Sequence, residues 1–225
     1  MSRSAPNAST PARGTSVWER KKLQAMREIQ RAALDLFDEH GFRSVTVEQV
    51  AAASHVSPSS IYRYFGTKEA LILWDEYDPK LIELLSQNSD SVVTPAEFVE
   101  EIRASMPALI HELASDEERI RRRMRYVATE TDVRDGLARE TRQLEDVLRR
   151  VVGARIGRDP DDLQIRLLSA MLAWGFDAAL DYWVETDFDL PLADALGYAI
   201  EALTRSAEAV LGFPVPRSQG PRHKN

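Results

Sequence analysis

The stretch that most constrains this chain is SVTVEQVAAASHVSPSSIYRYFGTKEAL, residues 44–71, because it holds two helix starts close together. Thr46 and Gln49 have the T-x-x-Q spacing of a capping box, in which each side chain satisfies the other's backbone N–H. Ser57 is a good cap, and Pro58 suits the first helical position, where its missing N–H costs nothing. The spacing predicts short helices over about 47–53 and 58–64, joined by SHV. The alternation in SVTVEQV is too short and too well capped to make a strand.

A longer helix precedes them. Leu23, Met26, Ile29, Ala33, Leu34 and Phe37 recur at helical spacing, and Gly41 after His40 is a stop signal, so this helix runs over about 17–40. A long support helix followed by two short ones is a helix-turn-helix arrangement. Val47, Val50 and the small Ala51 can pack on Leu34 and Phe37, and Val56, Ile61 and Phe65 can close that core. This leaves Ser57, Ser59, Ser60, Arg63 and Tyr64 off the core face. Short polar side chains at a helix start let backbone N–H groups approach phosphates. Arg63 can read a guanine edge with two hydrogen bonds, and Tyr64 and Lys68 can hold phosphates on the flank. Bland readings stand beside each role: Tyr62 also fits core, Arg63 also fits a solvated charge, and Thr46 is a cap first.

At these residues the chain resembles the DNA-binding domain of the TetR family of transcriptional regulators. The resemblance rests on AALDLFDEHGFRSVTVEQVAAASHVSPSSIYRYFGTKEAL and covers residues of about 20–85. It implies a homodimer whose paired recognition helices enter successive major grooves of a DNA operator. Carried over by position, Ser57, Ser59, Ser60, Tyr62, Arg63, Tyr64 and Lys68 fall at DNA-facing or DNA-supporting sites, and Thr46 and Val47 at the start of the second helix. The turn departs from the family in having His55 where Gly is common. If that position needs positive φ, His tolerates it less well than Gly.

The rest of the chain reads as longer helices. A linking helix opens at Gly66–Thr67 and continues through Leu71, Leu73, Trp74 and Leu81. Thr94–Pro95 opens a helix to about Leu113, with Pro107 as a kink. Ser115–Glu118 reads as another capping box, starting a helix to about Thr129, and Thr131 starts one to about Val152. Asp159 with Pro160 caps a helix to about Val184, and Pro191 opens the last, to about Leu211. The fold class is therefore all-α: a small three-helix head over residues 17–66 and a helical bundle over 67–212, about nine helices in all, with disordered tails at 1–16 and 213–225.

The net charge of −7 argues against a protein that coats nucleic acid, but it is unevenly spread. Residues 1–66 hold nine Lys and Arg against six Asp and Glu; the remainder holds 20 against 30. A mildly basic head on an acidic body fits two different partners. Cysteine is absent, which excludes disulfides and thiolate chemistry. No signal segment or membrane span is expected, and a cytoplasmic location follows.

In the family the bundle binds a small effector and dimerises. Small residues among large ones on the last two helices suit close packing, and Ala170, Ala173, Trp174, Asp177, Ala178, Asp181, Ala199 and Leu203 are candidates for the dimer interface. Phe98, Ile102, Met106, Ile110, Met124, Val127 and Trp174 are candidates for the pocket. Core packing explains part of both sets. ERIRRRMRY, Glu118 to Tyr126, places five arginines within seven residues. They form either a solvated face or a mouth for an anionic ligand. The tract RRRMRYVATETDVRDGL is similar to the C-terminal domain of regulators linked to mycofactocin genes, which implies an acyl-coenzyme A effector.

The expected protein is a ligand-responsive DNA-binding regulator, a repressor acting as a homodimer on a palindromic operator. Its effector is a small hydrophobic or acyl compound, and no cofactor, metal or membrane partner is expected. An enzyme is the rival from another class, but no Gly-rich phosphate loop or H-E-x-x-H is present, and Asp177 with Asp181 is a weak carboxylate pair. A helical acyl-binding protein with a vestigial head is the other alternative. The outward set of Arg63, Tyr64 and Lys68 separates it from a working regulator.

Overall fold

The computed structural model describes residues 17–87 and 91–212; the expected tails at 1–16 and 213–225 lie outside the described residues. Among the described residues there are ten helices and no strand. They fall into two compact units, one ending at Leu71 and the other beginning at Ile72.

In the first unit α1 spans Val17–His40, α2 spans Val47–Ala53 and α3 spans Pro58–Phe65. The local signals explain the boundaries. Gly41 at φ +81° ends α1, its N–H donating to the Phe37 carbonyl at 2.8 Å. The Thr46–Gln49 capping box is formed in both directions, and the Ser57 hydroxyl accepts the Ser60 N–H ahead of Pro58. Met26, Ile29, Ala33, Leu34 and Phe37 of α1 form one buried stripe. Val47, Val50, Ala51 and Ile61 are buried beside it. The Phe42 ring meets Phe37 edge-on at 5.2 Å. Each large side chain buried here contributes about 1.5–3 kcal/mol.

The unit closes at Leu71, within α4, which spans Ala70–Leu73. Buried Gln30 on α1 donates to the Leu71 carbonyl at 3.0 Å, which carries this unit past Gly66 to Leu71. Lys68 ties in the loop between α1 and α2. Its ammonium donates to the carbonyls of Phe42 at 2.7 Å and Val45 at 2.9 Å, and lies 4.3 Å from the centre of the Phe42 ring.

The second unit holds α5 (Tyr77–Ser86), α6 (Pro95–Ala114), α7 (Glu117–Thr129), α8 (Thr131–Ile156), α9 (Leu163–Glu185) and α10 (Leu192–Gly212). α10 packs on α6 and α9, α9 also on α8 and α7, and α5 on α6 and α8. Trp183, Phe98, Met106, Leu148 and Ile165 are fully buried between them. Arg155 is buried too, and fastens the end of α8 by donating to the Ser91 carbonyl and pairing with Glu101.

Four expectations need correction. The single helix over 67–81 is two, α4 and α5, because Pro79 fits only the first turn of a helix and forces a new start at Tyr77. Ser115 does not form a capping box: its hydroxyl donates back to His111 at 2.9 Å, and Asp116 precedes α7 without a side-chain cap. Asp159 caps a turn rather than a helix, accepting the Asp161 N–H at 2.8 Å, so α9 starts at Leu163. α8 runs on to Ile156, where Gly157 in the left-handed region ends it. α9 is long and apolar enough to cross a membrane by length and composition. It carries Arg166, Asp177 and Asp181, and α8 and α10 pack against it.

Candidate functional site

α3 has one buried side chain, Ile61, and an outward face. Tyr62 is half exposed at 50%, so the phenol points away from the core it could have filled. Arg63 is exposed; its guanidinium lies 4.9 Å from the Tyr64 ring centre and Nη2 donates to the Ser60 hydroxyl at 3.4 Å. That contact aligns the arginine along the helix without fixing it. The Ser57 hydroxyl lies 2.8 Å from that of Ser59 and 2.9 Å from that of Ser60, so three small hydroxyls surround the start of α3. Tyr64 is half-buried at its side.

The other DNA candidates divide. Thr46 is exposed at the start of α2, but the Val47 side chain is buried, so only its backbone is presented there. Lys68 is turned onto its own fold by the two carbonyls described above. His55 does adopt positive φ, +55°, and is exposed.

A second candidate site lies inside the second unit. A cavity of about 120 Å³ is lined by residues from α5 through α10. Leu81, Met106, Leu109, Met124, Phe176 and Leu196 supply much of its apolar wall. Of the sequence-chosen pocket residues, Met106 and Met124 reach it. Phe98, Ile102, Ile110 and Val127 are buried elsewhere in the core, and the Trp174 indole donates to Glu145 at 3.0 Å.

Of the polar lining, Asp75, Tyr77, Asp78, Glu140 and Thr141 escaped sequence reasoning, whereas Arg123 belongs to the arginine tract read as a solvated face or a ligand mouth and Asp177 to the set expected at the dimer interface. Arg123 is buried and donates through Nε to the Ile72 carbonyl at 2.6 Å, through Nη2 to the Leu73 carbonyl at 2.7 Å, and through Nη1 to Asp75 at 3.1 Å. It thereby satisfies carbonyls at the end of α4. Burial pushes the Asp78 carboxyl up to about 7, helped by nearby Asp75 and opposed by Arg123. Burial likewise raises Asp177 to about 6, against the Thr141 hydroxyl that donates to it at 2.6 Å. Glu140 is raised for the same reason. The Tyr77 hydroxyl donates to Asp116 at 3.0 Å, and burial raises it further from ionisation.

Three more arginines of α7 serve the fold. Arg119 pairs with Glu76 and Asp116, Arg121 pairs with Glu117 and lies over the Phe188 ring, and Arg125 lies over that ring as well.

Of the dimer candidates, Ala173 and Ala199 are buried within the chain, Asp177 lines the cavity, and Leu203 is half-buried. Ala170, Trp174, Ala178 and Asp181 share a different face of α9. Leu163, Leu167 and Tyr182 extend it at three- and four-residue steps. Leu163, Leu167 and Tyr182 are 48%, 46% and 57% exposed, and Tyr198 on α10 is 79% exposed.

Residues 29–73 match the bacterial regulatory proteins of the tetR family, and residues 96–208, half of the chain, match the MftR C-terminal domain. The chain belongs to the TetR family of DNA-binding transcriptional regulators. Within it, the C-terminal unit is of the MftR kind. A Mycobacterium tuberculosis protein named MftR, and assigned to regulation of mycofactocin biosynthesis, is 25% identical over 82% of this chain and 91% of its own length. The regulator TcmR of Streptomyces glaucescens is 27% identical over 88% of each. Among solved structures, SmeT in complex with triclosan aligns with a TM-score of 0.56 at 18% identity, covering 86% of this chain and all of SmeT, a likeness of fold. SmeT is the repressor of a Stenotrophomonas maltophilia multidrug efflux pump.

Proposed function

We propose that this chain is a homodimeric repressor that binds a palindromic DNA operator through α3 and is released by a small hydrophobic effector held in the second unit. The observation that carries the DNA half is the split of α3 into buried Ile61 and exposed Tyr62 and Arg63. A helix held by one face and offering an arginine, a tyrosine and three hydroxyls on the other is built to enter a groove. Arg63 reads a base edge, while Ser57, Ser59, Ser60 and Tyr64 position α3 on phosphates. The first turn of α2 at Thr46 and Val47 meets a neighbouring phosphate through backbone N–H groups. Lys68 supports this surface from behind.

The exposed stripe of Leu163, Leu167, Ala170, Trp174, Ala178 and Tyr182 favours a two-fold interface between copies of α9, with Tyr198 of α10 beside it. The cavity supports the effector half: it is mostly apolar with a few convergent polar groups. The cell compartment that fits is the cytoplasm, where the operator lies.

Selection of duplex DNA from a genomic library by the purified protein tests this reading. The expected product is a palindrome whose half-sites lie about one helical turn apart, or a multiple of it. Recovery of unrelated sequences in proportion to their abundance would overturn it.

A further inference from the structure

The cavity has a mismatch between its hydrogen-bond acceptors and its donors, and that mismatch specifies a ligand. On the acceptor side stand the carboxyls of Asp78 on α5, Glu140 on α8 and Asp177 on α9. The lining's donors are largely committed. The Tyr77 hydroxyl is given to Asp116, and the Thr141 hydroxyl to Asp177 and the Leu137 carbonyl. Arg123, the cation of the lining, is matched in charge by Asp75 and bound to two carbonyls. Three carboxyls therefore face an apolar chamber whose own cation is already paired.

Other charges act on them from the surrounding elements. Asp78 feels Asp75, Arg123, Glu140 and Asp177; Glu140 feels Arg123, Asp75 and Arg139; Asp177 feels Asp181, which in turn feels Glu185 and Arg134. Among the described residues no three carboxylate or imidazole groups are arranged to hold a metal ion. An anionic head group would have to displace Arg123 from its partners and sit beside three acids.

We propose that the cavity selects an effector whose buried end is a small apolar group bearing a protonated nitrogen, directed at the wall to which Asp78, Glu140 and Asp177 contribute. The inference rests on the effector reading above and names its chemical class. The size fits. A dry cavity of about 150 Å³ accepts benzene, so about 120 Å³ takes something smaller than that ring, a short branched chain of about four carbons with its amine at the polar wall. At neutral pH the empty site holds Asp78 and Asp177 partly protonated, because burial disfavours their charge. A bound ammonium group supplies the missing countercharge and keeps them ionised. Binding thus releases protons and weakens as pH falls through 7 and 6.

The test is calorimetric titration of the full chain, without DNA, using isobutylamine, isobutanol, isobutyrate and octanoyl-coenzyme A. At pH 7.5 the amine should bind at least about tenfold tighter than the alcohol, and the carboxylate and the coenzyme A ester more weakly than either. At pH 5.5 the amine should lose that advantage while the alcohol is unchanged. Asp177→Asn and Asp78→Asn should each bring the amine towards the alcohol. The pH comparison uses the unaltered protein, so a variant that fails to fold does not remove the test. Tighter binding of the carboxylate or the coenzyme A ester, or no preference for the amine, would overturn the proposal. DNA binding is read separately. Amine preference in a protein that selects no operator would leave this inference standing and sink the regulator reading; operator binding without amine preference would do the reverse.

Discussion

Replacing Lys68 by Met keeps an unbranched stem of similar length and removes the ammonium. Two hydrogen bonds go with it, to the Phe42 carbonyl at 2.7 Å and the Val45 carbonyl at 2.9 Å, together with the contact over the Phe42 ring at 4.3 Å. Hydrogen bonds involving a charged group contribute about 1.5–3 kcal/mol each, and a cation over a ring about 0.5–1 kcal/mol at an exposed site. Lys68 is only half-buried, so water recovers part of this, and a net loss of about 2–3 kcal/mol follows. For a unit this small, with a total stability of about 5 kcal/mol, that is a large fraction. Scanning calorimetry of the full chain should show the first unit melting about 10–15 °C earlier, at roughly 4–8 °C per kcal/mol. A phosphate-binding lysine behaves differently. Its loss leaves the melt unchanged and lowers the slope of log affinity against log salt by about 0.9. An unchanged melt with a lowered slope would refute the buttressing role.

Arg123→Met leaves the Ile72 and Leu73 carbonyls and Asp75 without their partner, and should destabilise the second unit by about 3–5 kcal/mol; Arg123→Lys should recover less than half, having no fork to span three acceptors, with urea unfolding as the readout. The folded Asp177 carboxyl sits near 6 against an ordinary value of 3.8, so the folded state holds its proton longer than the unfolded one. Its contribution to stability is present below about pH 4 and is lost as pH rises through 6. Asp177→Asn should therefore stabilise the protein by about 3 kcal/mol at pH 8 and give no gain at pH 4, measured by denaturant midpoints at both values. Leu167→Glu places a charge on the exposed stripe of α9 and should shift the dimer to monomer in analytical ultracentrifugation without lowering the melting temperature of the second unit. An unchanged dimer would place the interface elsewhere.

What the sequence made legible was local. α1 ends at Gly41, α2 begins at the Thr46–Gln49 box, and α3 begins at Ser57–Pro58 and ends at Gly66, as those signals say they should, because each acts within one turn of its own backbone. The same reasoning failed where a signal had two local outcomes. Ser115 satisfies the preceding helix rather than capping the next, and Asp159 with Pro160 makes a turn three residues before α9 begins. The break between α4 and α5 is readable from Pro79, although Leu71, Leu73, Trp74 and Leu81 by themselves suggest one helix. Of the cavity, only Met106 and Met124 were readable; its acidic wall was not. Asp78, Glu140 and Asp177 come from three helices scattered over a hundred residues, and nothing local marks a carboxyl that tertiary packing will bury. Nor does the arginine tract of α7 reveal that Arg123 turns inward to the end of α4 while Arg121 and Arg125 lie over Phe188.

The central claim is that the outward face of α3 reads DNA sequence. The most direct measurement is the ratio of affinities for the selected palindrome and a scrambled duplex, at one salt concentration, in the wild type and in Arg63→Ala. If Arg63 reads a base edge, the ratio falls by about tenfold or more, equivalent to about 1–3 kcal/mol, while binding to the scrambled duplex changes far less. An unchanged ratio, with both affinities lowered together, would contradict the account and leave Arg63 as a phosphate contact only.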